Sequence, residues 1–235
     1  MSNKFNHPTL LFYYGLLMFA FAIPASAATI QTINPYLSAA DSPYNSGDFS
    51  YFHLEDFEDG LLNTPGVTGS PGGVTSVVFG PSIHDSVDGD DGAIDGSGLN
   101  GDSYFSFSGS AGINFTFDDT VLGTLPTVAG IVWTDGAGST TFAAYDALNN
   151  LLDILTLNIA DGSISGTTGE DTFFGITHSG GISRIFISNT SGGIEVDHLQ
   201  YGGGDVSVIP IPAAVWLFGT ALIGLVGISR RRKAA

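Results

Sequence analysis

Cysteine is absent from the 235 residues, which excludes disulfides, thiolate metal ligands and cysteine nucleophiles. Basic residues are nearly as scarce. Of six Lys and Arg, Lys4 opens the chain, Arg230, Arg231, Arg232 and Lys233 close it, and only Arg184 lies between. All 23 Asp and Glu fall in the body, so residues 28–209 carry a formal charge of −22. Such a surface repels nucleic acid and anionic lipid and attracts cations. There is no Gly-x-Ser-x-Gly elbow and no His-Glu-x-x-His pair, and the five histidines do not cluster. A glycosidase needs two carboxylates across a cleft, and among so many acids no pair stands out. The body is therefore read as non-enzymatic. Long amphipathic helical patterns are missing as well.

What is present argues for a folded body. High acidity with few bases can mean disorder, but here 43% of residues are hydrophobic, with 17 Phe and 8 Tyr. Acidic residues sit mainly between apolar segments. Short strands are expected at 50–57, 74–79, 104–107, 113–117, 127–133, 140–145, 151–159, 173–177, 182–188 and 194–201, separated by Gly, Asp and Asn turns. Ile113, Phe115 and Phe117 alternate on one face. Asp135-Gly136-Ala137-Gly138 reads as a turn, and 63–73 as a Gly/Pro/Thr-rich loop. The fold class is all-β: an antiparallel β-sandwich, jelly-roll-like in the first instance and immunoglobulin-like in the second. Residues 28–48 read as a loose lead-in, 49–202 as the sandwich, and 203–208 as a flexible Gly-rich spacer.

Both ends read as membrane-directed. Lys4 precedes an apolar run from Leu10 to Ile23, and Ala25-Ser26-Ala27 offers the small residues of a signal-peptidase site, so 1–27 is expected to be a signal peptide cut after Ala27. From 209 onward come Pro210-Ile211-Pro212-Ala213, an uncharged run to Ile228, and the cluster Arg230–Lys233. About 20 apolar residues suffice to span a bilayer, and the basic cluster holds that end in the cytoplasm. The prolines block regular helix just before the membrane and leave extended backbone there. The arrangement resembles the PEP-CTERM sorting signal in its VPLPA-type variant, with Ile211 where the family's namesake has Glu. That resemblance implies processing near Pro-x-Pro by an exosortase, display at the cell surface or in the extracellular matrix, and a structural or adhesive role in an exopolysaccharide or biofilm setting. It covers about the last tenth of the chain, so it speaks to handling rather than to the body's activity.

Two cation sites are expected. The loop from Asp85 to Asp102 holds six Asp and five Gly. Asp85, Asp88, Asp90, Asp91 and Asp95 are its candidate ligands, since Ca²⁺ takes several converging oxygens and Gly permits tight wrapping. A solvated acidic loop is the plain alternative. The spacing is not that of an EF-hand. Separately, Phe57-Glu58-Asp59-Gly60 and Ile194 to Gly202 resemble the first and last strands of jelly-roll modules in exported proteins. That likeness implies a structural calcium where Glu58 and Asp59 meet Asp197. His53 and His198 are expected to be neighbours if those strands pair. Carbohydrate binding is the alternative function, with a hydrolase a distant third. Trp133 reads as core, while Tyr44, Tyr51 and Tyr104 are available to stack on sugars without forming a pattern.

Overall fold

The computed structural model describes residues 27–75, 84–162 and 166–205. Among these, ten strands follow in order: β1 Thr29–Ile33, β2 Phe49–Glu55, β3 Val67–Ser70, β4 Gly73–Val74, β5 Tyr104–Ser106, β6 Ile113–Phe117, β7 Val128–Tyr145, β8 Leu151–Leu157, β9 Thr172–Thr177 and β10 Arg184–Asp205. The α-helix α1, Asp119–Leu122, is a single turn capped by Asp118. Every strand pairing is antiparallel. The expected all-β antiparallel class is what the chain forms. Most of the expected signal peptide (1–26), the end of the expected strand at 76–79 and everything after Asp205 lie outside the described residues. No described helix is long and apolar enough to cross a membrane.

Two long strands organise the molecule. β7 runs 18 residues and β10 runs 22, and they pair from Arg184↔Tyr145 to Gly202↔Val128. Register shifts interrupt the ladder between Asn189 and Gln200, and bulges of this kind bend strands and increase their twist. One half of the ribbon is flanked by β8 and by β6 with β3. The other half is flanked by β9 with β1 and by β2. Because the ribbon bends, the two halves face each other in a sandwich-like body. Phe142 of one half stacks on Phe174 of the other at 5.8 Å, and Phe117 meets Tyr201 at 4.9 Å. Ile113, Phe115, Ile131, Trp133, Ile185 and Val196 fill the space between. The alternation read in β6 holds, with Ile113, Phe115 and Phe117 buried.

Several local expectations are corrected. Asp135 to Gly138 is no turn, since the strand continues through it. Glu195 pairs with Asp135 and Ile194 with Gly136, and a Cβ on Gly136 would lie 1.9 Å from Asn189 Nδ2. That glycine serves close approach rather than chain reversal. The separately expected strands 182–188 and 194–201 are one strand for the same reason. The loop read at 63–73 contains β3, which pairs with β6.

Residues 28–48 are not loose. Ile30 pairs with Ile176 in β1–β9, and Tyr36 and Tyr44 are buried. With Val87, Val128, Val132 and Phe173 they form a second apolar cluster, on the β7–β9 half. Gly202 and Gly203 are not free spacer either, because they pair with Phe52 and Tyr51 of β2. The far end of β10 is therefore covered on both sides, and polar residues on its second side are buried too.

Candidate metal centre

Three donor groups converge where the loop 84–102 crosses β10. Ligand atoms of Asp90, Asp197 and His198 all lie within 4.8 Å of one another. Asp197 is wholly buried, accepting the N–H of Val87 at Oδ2 (2.8 Å) and that of His198 at Oδ1 (2.6 Å). Burial, followed by the Asp90 carboxylate, pushes Asp197 well above the usual carboxylate range. His198 stands in the register shift between Asp197 and Gln200 and has φ 45. Non-glycine residues rarely adopt that region, and strain of this kind collects at functional sites.

The ring of His198 is held at both nitrogens. Nε2 lies 3.0 Å from Asp90 Oδ1, and Nδ1 lies 3.2 Å from the Tyr36 hydroxyl, which accepts from Gln200 Nε2 at 2.8 Å. The imidazole thus fixes Asp90 rather than offering a lone pair of its own. The second oxygen of Asp90 is buried without a hydrogen-bond partner. Glu58 stands nearby, its Oε1 accepting the N–H of Asp102 at 2.6 Å. Partial desolvation, opposed by that hydrogen bond and reinforced by the Asp90 and Asp102 charges, raises it to about 7, although the residue remains exposed. Oxygen donors with a fixed orientation suit a hard divalent cation.

The five loop aspartates do not gather at one point. Asp88 is committed to the loop itself. Its oxygens accept from the N–H groups of Asp95, Gly96 and Ser97 at 3.0–3.3 Å and from Thr168 Oγ1 at 3.2 Å. Asp91 and Asp95 are exposed, and Asp91 closes a turn by accepting from Ala93 at 3.0 Å. Only Asp90 reaches the three-residue centre, while Asp85 enters a different group. Of the second expected set, Asp197 is central and Glu58 is adjacent. Asp59, exposed as Glu58 is, binds Leu61 N at 3.0 Å and Asn63 Nδ2 at 2.6 Å instead.

β2 and β10 do pair as expected, yet His53 stacks toward Tyr201 at 5.2 Å and His198 turns to Asp90 and Tyr36. Tyr44 and Tyr104 are buried and unavailable for stacking on a sugar, and the Tyr51 hydroxyl donates to Thr124 O at 2.7 Å. Trp133 is core, with Nε1 donating to Asn189 Oδ1 at 2.7 Å. Pro210, Ile211, Pro212, Ala213, Arg230, Arg231, Arg232, Lys233 and Ala25 lie outside the described residues. Ala27 is exposed at their start.

Sequence reasoning missed Tyr36, Asp135, Glu170, Asp171 and Glu195. One signal was available: Glu195 and Asp197 alternate with Ile194 and Val196, which places both acids on one strand face. That face is ordinarily read as wet. The one base of the body, Arg184, lies elsewhere, 3.6 Å over the Tyr145 ring and bonded to Asn114 and Asn149.

No protein-family model and no characterised protein matches the chain. Among solved structures, it is similar to a "Xylan-Binding Domain from CBM 22, formally x6b domain" at 13% identity and a TM-score of 0.28, over 69% of this chain and 99% of that one.

Proposed function

We propose that this chain is an exported, non-catalytic module whose acidic body is locked by calcium, with Asp90, Asp197 and Glu58 as oxygen donors and His198 orienting Asp90. The convergence of Asp90, Asp197 and His198 carries this reading. A buried carboxylate needs a counter-charge or a proton, and the body's single base is bound elsewhere. The role is structural or adhesive, at the cell surface or in an exopolysaccharide or biofilm matrix. A jelly-roll-like sandwich, a signal peptide over 1–27, a membrane-spanning tail and exosortase processing at Pro210–Ala213 belong to the same proposal. Their support is the sequence pattern.

Matrix retention in the native host tests it. Native protein should stay with the matrix in calcium and be released by a chelator, and Asp90→Ala should be released in both. Equal retention of all three samples would overturn the reading.

Carbohydrate binding is the second reading. It is favoured by an open groove of about 800 Å³ lined by Gln31, Asn45, Asp48, Phe49, Thr124 and Ser179. These amide, hydroxyl and carboxylate groups around one half-buried ring suit a polyol. Saturable binding of one sugar class on a glycan array would establish it, and loss on Phe49→Ala would place it in this groove.

A further inference from the structure

The loop aspartate that does not reach Asp197 has a setting of its own. Asp85 is 3% exposed, and neither of its carboxylate oxygens has a hydrogen-bond partner. Asp171 is fully buried, and its two oxygens likewise have none. Such orphaned groups are rare in folded proteins and ask for an explanation, affinity for an ion being one. Their surroundings come from three elements. The Asp85 N–H donates to Glu195 Oε2 at 3.0 Å, and the Asp85 carbonyl accepts from Thr134 Oγ1 at 2.8 Å. Glu195 of β10 stands opposite Asp135 of β7 across the ladder. The register shift after Glu195 allows Thr134 and Asp135 to address the same segment. Asp171 immediately precedes β9, where Thr172 pairs with Trp133 next to Thr134 and Asp135, and Glu170 stands beside it.

The charges reinforce one another. Burial, then Glu195 and Asp135, push Asp85 up to about 9. Burial, then Asp85 and Glu170, push Asp171 up to about 10. Asp135 rises to about 7 through burial and Glu195. His84 Nδ1 lies 3.5 Å from Glu195 Oε1, and no Lys or Arg occurs among the described residues other than Arg184. Five buried carboxylates here, Glu170 included, share at most one imidazole.

We propose a second divalent-cation site, distinct from the Asp90–Asp197 centre, in which Asp85, Asp135, Asp171 and Glu195 bind Ca²⁺. Hard carboxylate oxygens without a fixed nitrogen donor select calcium over softer ions. Among the described residues only Asp90, Asp197 and His198 already have donor atoms within 4.8 Å of one another. The carboxylates of the second group stand farther apart than that, so binding requires the orphaned oxygens of Asp85 and Asp171 to turn toward the ion. The site tethers the loop at 84–87, β7, β9 and β10 at one point. It extends the calcium reading above but uses none of that centre's ligands.

Calorimetric titration of the detergent-solubilised full chain with Ca²⁺ separates the two sites. Native protein should take up two equivalents. Asp85→Asn with Asp171→Asn should take up one, and Asp90→Ala should take up the other one. Glu195→Gln, which keeps an acceptor for the Asp85 N–H, should weaken the second site at least tenfold and guards against a folding failure of the double variant. In chelator the double variant should melt at or above the native temperature, because two ionisable groups have left the cluster. A single native equivalent, lost in Asp90→Ala and unchanged in the other variants, would overturn this site and keep the first. A single equivalent with the opposite dependence would keep this site and overturn the first. No uptake at all would overturn both and leave the carboxylates to protons.

Discussion

The N–H of Val87 donates to Oδ2 of Asp197 across 2.8 Å, although the two residues are 110 positions apart. Two residues earlier, Asp85 donates in the same manner to Glu195 at 3.0 Å. Segment 84–87 thus lies along β10 using alternate side-chain carboxylates where a paired strand would use carbonyls. Both oxygens of Asp197 accept backbone N–H groups, and the second oxygen of Glu195 lies 3.5 Å from His84 Nδ1. The residues proposed to hold cations thus also hold the backbone of segment 84–87.

Replacing Asp197 with Ala leaves the N–H groups of Val87 and His198 buried and unpaired. Each costs roughly 1–3 kcal/mol, so urea unfolding in chelator should lose about 2–6 kcal/mol. An unchanged midpoint would mean that segment 84–87 is held by packing alone.

Without divalent ions, stability should fall as pH rises. Asp85 moves from an ordinary 3.8 when unfolded to about 9 when folded, through burial and the Glu195 charge. Below the lower value both states are protonated and no penalty arises. Between the two values the unfolded chain ionises freely and the folded chain resists, so the folded state binds more protons and loses ground. Asp171 acts in the same direction. Melting in chelator from pH 5 to pH 9 should show a steady decline, and a rise over that window would contradict the burial argument.

Calcium should reverse that decline at neutral pH. One site filled at a hundredfold excess over its Kd adds about 2.7 kcal/mol. The melting temperature should rise with calcium and return on chelation. An equal rise with Mg²⁺ would mean general charge screening.

Gly130 of β7 faces Phe173. A Cβ there would lie 2.3 Å from the Phe173 ring and 2.7 Å from the Phe174 carbonyl. The ring can move but the strand backbone cannot, so Gly130→Ala should cost about 1–3 kcal/mol. Denaturation that matches native protein would show that β7 and β9 have slack.

In the native host, Pro210→Ala with Pro212→Ala should leave the tail uncut, and intact mass should then include the residues after Pro212. Normal trimming would refute the sorting assignment. Deleting Arg230 to Lys233 should disturb orientation, as read by protease protection.

Much of the strand set was legible. β2, β6, β8 and β9 come from runs whose alternation or β-branched content is unambiguous, and Trp133 was recognisable as core from its apolar neighbours. The long strands were not legible. Asp135-Gly136-Ala137-Gly138 has the composition of a turn, and only the facing residues of β10 keep it extended. Likewise Gly202-Gly203 reads as spacer until β2 supplies a ladder. The acidic loop stands out by composition, but its neighbours in space do not, because Glu195, Asp135 and Asp171 are far from it in sequence.

By itself the sequence determined the all-β class, the extreme acidity, the lack of thiol chemistry and the loop where aspartates concentrate. These follow from side-chain type and period, which are local. Tertiary structure decided which acids are brought together: Asp90 with Asp197, and Asp85 with Asp171 and Glu195. Burial depends on what covers a strand's second face, and here that cover is residues 34–48 and 84–102, brought in from distant parts of the chain.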